Sequence, residues 1–253
     1  MLAAPALSQT AEDALVPPPG LDVLIVGEVH DNPEHHRNQA LAAGRASAVV
    51  WEMLTPAMAV PYDPALLDDP AALDAAIGWS AEGWPDIAIY LPIFEALPDG
   101  PHWPGGAGSE APRAAMADGA AAAFGEGAAR YGLADPLPAE TAAARMAEMA
   151  EAHCGALPED LLPGMVEAQR LRDAVLARAV IEALDRFGPP VVVVTGNGHA
   201  AFDGVPAALM RADPEISVRT VGQLEAEPEG DPPFDRWIVT GAPERGDPCE
   251  AFR

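Results

Sequence analysis

The stretch LDVLIVGEVHDNPEHH, residues 21–36, decides how this chain is read. Residues 22–28 form an apolar, β-branched run that predicts a strand buried on both faces in a parallel sheet. Gly27 stops it. Asn32 and Pro33 suit an N-cap and a first helical position, so a helix should follow and run to about Gly44. ASAVVWEM, residues 46–53, reads as the second strand. Strand, helix and strand make one β-α-β unit with a right-handed crossover. Three of the six histidines fall within residues 30–36, at the point where strand gives way to helix.

The pattern of a strand followed by Gly-x-x-His occurs again. VVVVTGNGH, residues 191–199, ends a second strongly apolar run over 189–196. Later strands are expected within 215–222 and 235–241. The intervening region is Ala-rich and helical, with a long helix over 164–187 and a short strand near DGPHWPGGAG. The predicted fold class is therefore α/β: a mostly parallel sheet flanked by helices, with a large helical insertion, about 55–187, between the second strand and the C-terminal strands. One domain over 21–253 is expected, preceded by a flexible leader at 1–20. Within that leader LAAPALS resembles the tail of a secretory signal peptide, with a cut after Ser8. No cysteine lies near it, so a lipid-attachment site is not expected.

Composition excludes several function classes. The chain has 253 residues, 14 of them basic and 39 acidic, for a net charge of −25. Such a field repels nucleic acid and anionic lipid surfaces. Every basic residue is arginine, which excludes Schiff-base chemistry and a P-loop lysine. No apolar run is long enough to span a bilayer. Nucleophile-elbow, HExxH and dinucleotide-fingerprint motifs are absent. Cys154 and Cys249 are the two cysteines, and neither lies in an apolar run; they are expected to pair in a disulfide that ties the tail to the helical insertion.

If both Gly-x-x-His strands belong to one parallel sheet, His30 and His199 emerge together at its carboxyl edge, where open α/β sheets place their ligand sites. Glu28 and Glu52 stand at strand ends and join them. Two histidines and two carboxylates can ligate a metal or serve as acid and base, so Glu28, His30, Glu52 and His199 are candidates for both roles. His35 and His36 lie about 100° apart on the first helical turn, so at most one should face the site, with the other solvated. His102 and His153 are expected to be structural. Trp79, Trp84 and Tyr90 cluster in one segment and serve either core packing or a cofactor.

VGEVHDNPEHHRNQ, WEM, GWPDIAIYLPIF, GMVEAQRLRDAVLARAV and VVVVTGNGHAAFDGVPAAL, taken together and in order, resemble the ChaN-like haem-binding uptake proteins. These are bacterial envelope proteins of a superfamily that includes Tiki metalloproteases, TraB proteins and erythromycin esterases. The likeness covers most of residues 22–210. It implies haem as cofactor and partner, a homodimer around the haem, and a place in the periplasm or cell envelope. Gly27, Glu28 and His30 match the first motif of the superfamily, Glu52 its second glutamate, and Gly196 with His199 its second motif. Its arginine is matched by Arg113, Arg170 or Arg172. For haem contact the resemblance points to Tyr90 as an axial ligand, with His30, His35, His199 and Arg113 around it. The alternative is a hydrolase using Glu28, His30, Glu52 and His199, with or without a divalent metal. A third reading is solute binding without catalysis.

Overall fold

A computed structural model describes residues 11–247 and 249–250. Six strands form one sheet: β1 (Val23–Glu28), β2 (Ala48–Trp51), β3 (His102–Pro104), β4 (Val191–Gly196), β5 (Val218–Leu224) and β6 (Arg236–Val239). They lie in the order β3-β2-β4-β1-β5-β6, and every pairing is parallel. All six residues of β1 and of β4 are buried, as continuous valine-rich runs require when helices cover both faces of a sheet.

The topology is what assembles the site. β1 connects outward to β2 through the helix Pro33–Ala43, and β4 later inserts between them. The chain then crosses to the far side of β1 for β5. This reversal is a topological switch point, where the strand ends leave a crevice. Register makes the alignment specific: Gly27 pairs with Thr195 and Glu28 with Gly196. Trp51 pairs with Val194, so Glu52 emerges beside the same strand end.

Alternate side chains point to opposite faces of the sheet. Val23, Ile25, Val50 and Val193 pack with Leu171, Ala174 and Ala177 of the long helix Leu162–Phe187. Leu24, Val26 and Val192 pack with Ala42, Leu21 and Leu15. An aromatic cluster of Trp51, Trp79, Tyr90 and Phe94 extends the second face. Among the described residues no helix is long and apolar enough to cross a membrane.

One expectation changes. The supposed leader is folded from residue 11 onward. Ala11–Leu15 is a helix, and Leu15 is fully buried against the β1 and β6 side of the sheet. An apolar side chain there completes a core layer, which outweighs the breaking tendency of the prolines behind it. LAAPALS lies outside the described residues. The short strand expected near DGPHWPGGAG is β3, which extends the sheet beyond β2. The expected disulfide joins Cys154 to Cys249 with Cα atoms 5.7 Å apart, and ties the chain's tail to the end of the helix Ala139–Ala152.

Candidate functional site

The carboxyl edge of β1, β4 and β2 gathers Glu28, His30, His199 and Glu52, and each is held differently. Glu28 ends β1 and is buried. His30 Nδ1–H donates to its Oε1 at 2.7 Å. The Tyr90 hydroxyl donates to the same oxygen at 3.1 Å and lies 3.0 Å from the His30 carbonyl. His36 brings Nε2 to 3.2 Å from Oε2, out of hydrogen-bond alignment, with its ring stacked on Tyr90 at 3.8 Å. The His30 side chain is 34% exposed, and its Nε2 stands 4.0 Å from Glu52, too far for a hydrogen bond. Two glycines allow this crowding. A Cβ on Gly196 would lie 3.0 Å from His30 Nε2, and one on Gly27 would lie 2.3 Å from Asn197 Oδ1. That Asn197 side chain bridges β5, donating to the Gln223 carbonyl at 2.6 Å and accepting from its N–H at 3.1 Å.

Glu52 and His199 belong to a different arrangement. Glu52 Oε2 accepts from Thr195 Oγ1 at 2.7 Å and from the Gly196 N–H at 2.8 Å. Its Oε1 is 3.3 Å from His199 Nε2. His199 Nδ1 bonds Asp173 Oδ1 at 2.6 Å, and Asp173 Oδ2 is 3.5 Å from Arg145. Arg145 continues to Asp203, from Nε at 2.9 Å. Both nitrogens of His199 are thus held by carboxylates, deep in the fold.

The charge states follow. Burial alone would lower the pKa of His199, but the Glu52 and Asp173 carboxylates outweigh it and raise it to about 10. Burial likewise opposes the charge on His30, yet Glu28 and Glu52 hold its pKa at about 9. Burial would raise Glu28, and its two histidines bring it down to about 2. Glu52 is held well below its usual range, against burial, chiefly by the charge of His199. At neutral pH the cluster is a set of fixed ion pairs. A general base is most effective with a pKa near the working pH, and neither histidine meets that condition. Among the described residues no three His, Cys, Asp or Glu side chains converge as a metal-ligating group. The acids and histidines satisfy one another instead, which leaves the expected divalent metal without a site there.

The other sequence candidates separate clearly. Tyr90 is fully buried behind Glu28, and burial with the adjacent carboxylate pushes its phenol far above its usual range. Its oxygen supports the site from below and does not face the cleft. Neither His35 nor His36 is solvated. His35 Nδ1 accepts the Val29 N–H at 2.9 Å and its Nε2–H donates to Thr240 at 2.7 Å, so the ring is a neutral brace. Burial lowers its pKa to about 4. Arg170 is spent on Glu167 and on the Gly132 and Asp135 carbonyls. Arg113 and Arg172 both line the cleft. His102 accepts from Trp51 and donates to the Leu97 carbonyl, a packing role.

Above the cluster opens a cleft of about 650 Å³, within the range of cofactor pockets. Its floor is Glu28, His30, Glu52 and His199. Its walls are apolar and sulfur-rich, with Met116, Met149, Met165, Pro112 and Ala168. Sequence reading missed Asp173, Arg145 and Gln169, and left open which of His35 and His36 would face the site. The signal for Asp173 was present: it falls on the buried stripe of the long helix with Val166, Ala177 and Val180, where an unpartnered acid is costly.

The sequence model of the family described as haem-binding uptake, Tiki superfamily, ChaN matches residues 19–209. No curated protein matches the chain. Among solved structures, one described as cofacial heme binding to ChaN of Campylobacter jejuni is similar, with a TM-score of 0.58 at 20% identity, covering 83% of this chain and 84% of that one. At that identity the likeness is one of fold.

Proposed function

The chain belongs to the ChaN family of haem-binding uptake proteins in the Tiki superfamily, and on that footing we propose that it binds haem in the cleft above Glu28, His30 and Glu52, with His30 as an axial ligand. The observation that carries this reading is the asymmetry of His30. Its Nδ1 is anchored on a buried carboxylate, while Nε2 has no hydrogen-bond partner and borders the cleft. Metal-ligating histidines are oriented in this way, and the carboxylate makes the ring a stronger donor. At neutral pH the ring holds a proton on Nε2, and ligation requires its loss.

The residues present fit the group. Met116, Met149, Met165 and Ala168 offer an apolar wall to a macrocycle. Arg113 and Arg172 supply the cleft's positive charge for the propionates, in a chain whose net charge of −25 would otherwise repel them. Bound haem would supply an iron centre. The protein's part is to seat it and set its axial donor. The hydrolase alternative has no comparable support, because the family model that matches the chain is one of haem-binding uptake proteins.

We place the protein in the periplasm or another oxidising compartment of the cell envelope. The support is the Cys154–Cys249 disulfide, a bond rarely kept in the cytosol. A homodimer around the haem is part of the proposal, supported by the family and by an open cleft whose Met116 is 39% exposed. Sedimentation with and without hemin tests it. The central test is a hemin titration of the full chain. A saturable Soret shift is expected, with affinity weakened at least tenfold in His30→Ala. Binding no stronger than to an unrelated acidic protein would overturn the reading.

A further inference from the structure

The helix Ala139–Ala152 lines the cleft with Met149 and Ala152, and His153 follows at its end. Of its 14 residues only Arg145 is buried. None of its side chains belongs to the three apolar clusters that make the core. Arg145, Glu148 and Met149 also line a second cavity of about 450 Å³, together with Phe202 and Phe234. The helix thus stands between two open spaces. Core helices are held by close-packed apolar contacts, and an element with few of them opens locally at low cost.

Both ends of this helix are fastened. Before it, Arg170 donates to the Gly132 carbonyl at 3.1 Å and to the Asp135 carbonyl at 2.6 Å. After it, Cys154 is bonded to Cys249, and the tail is pinned by Arg245 on Asp31 and Glu225. Cys154 and Gly155 have φ of 56° and 65°, which turns the chain sharply just past the helix. Between the fastened ends the buried attachment is Arg145. Its Nε donates to Asp203 Oδ2 at 2.9 Å, its Nη2 donates to the Asp203 carbonyl, and its Nη1 lies 3.5 Å from Asp173 Oδ2. The Asp203 side chain is 52% exposed, so water competes for its bond to Arg145.

Resting on the haem reading, we propose that Ala139–Ala152 is a lid, fastened at both ends and latched at its middle by Arg145 on Asp203, which rolls outward to admit and release haem. Rolling about the line between its ends carries Met149 out of the cleft and unlatches Arg145 in one motion. The lid is a wall within one chain and supplies no ligand to the iron, which leaves the outer haem face to a second copy.

The test uses the full chain. Without hemin, amide hydrogen exchange is expected to be faster in residues 143–152 than in 170–180 of the long helix, and hemin should slow it. Asp203→Asn weakens the latch at an exposed position. It should speed exchange in 143–152 by about tenfold, the worth of one charge-assisted hydrogen bond, and leave 170–180 unchanged. Hemin association, and hemin transfer to a scavenging apoprotein, should both quicken by a similar factor while Kd changes little. Exchange in 143–152 as slow as in 170–180, or unchanged by Asp203→Asn, overturns the lid and leaves hemin binding standing. Faster exchange with unchanged hemin transfer overturns the gating role. Failure of wild type to bind hemin overturns the haem reading and the gate with it.

Discussion

At the end of β1, His30 rests one nitrogen on Glu28 and turns the other toward the cleft; at the end of β4, His199 has both nitrogens on carboxylates and is buried. The two strand ends share the Gly-x-x-His spacing and adjacent places in the sheet. They differ in what covers them. The long helix Leu162–Phe187 sets Asp173 against His199, whereas among the described residues the acids near His30, Glu28 and Glu52, come from strand ends. The motif delivers a histidine to the edge, and the covering layer decides whether it becomes a donor to a ligand or a fixed charge inside the wall.

The largest expected effect breaks that contrast most directly. His199→Ala leaves the buried carboxylates of Glu52 and Asp173 without the cation between them, and should cost about 3–5 kcal/mol of stability in urea unfolding. His30→Ala removes a partly exposed ring from a carboxylate that keeps Tyr90 and His36 nearby, and should cost about 1 kcal/mol while abolishing most hemin affinity. Equal losses of stability in the two variants would mean that the strand ends are not distinct.

How much of this was legible depended on local signals. The strands β1, β2 and β4 are valine-rich runs ended by glycine or an acid, and burial on both faces writes itself into such runs. From those strand ends the convergence of Glu28, His30, Glu52 and His199 followed. β3 is three residues ending in proline; a short strand was legible there, but not its place at the sheet's edge beside β2. The choice between His35 and His36 turned on helical phase at the first turn, which spacing does not fix. Asp173 and Arg145 are brought to His199 by the packing of two helices, a relation no local pattern encodes. Tyr90 was assigned from its segment alone, and segment position does not tell which side of a carboxylate a ring will occupy.

The contrast extends to pH. The raised pKa values of His30 and His199, about 9 and 10, mean that the folded state holds protons the unfolded state releases above about 6.5. Their contribution is fully present below 6.5 and is lost as pH rises through 9 to 10. His35 has the opposite sign. Its folded pKa of about 4 means that the unfolded state takes up a proton first, so stability falls as pH drops from 6.5 toward 4. Stability should therefore peak near pH 6.5. Glu28 adds its own acid loss only below about 4.5, as pH falls toward 2. In His35→Asn the acid-side slope between pH 6.5 and 4.5 should flatten while the alkaline side persists. Denaturant midpoints across that range check this, and an unchanged acid slope would remove His35 as its source.

The smallest effect sharpens the role of the residue beneath His30. Tyr90 donates its hydroxyl to Glu28, which is already held by His30. Tyr90→Phe keeps the ring stacked on His36 and packed against Trp79, and deletes one hydrogen bond. The expected cost is about 1 kcal/mol, in the range for one buried hydrogen bond. Because the phenol lies behind the carboxylate, the hemin spectrum should keep its ligation signature, and affinity should fall only slightly as Glu28 loses one constraint on its orientation. If instead the variant converted the iron's spectrum to that of a complex lacking a protein oxygen donor, Tyr90 would have to leave Glu28 and reach the cleft on binding. In that case the β1 end would rearrange around its ligand while the β4 end stayed fixed, and the difference between the two would be one of mobility as well as of covering.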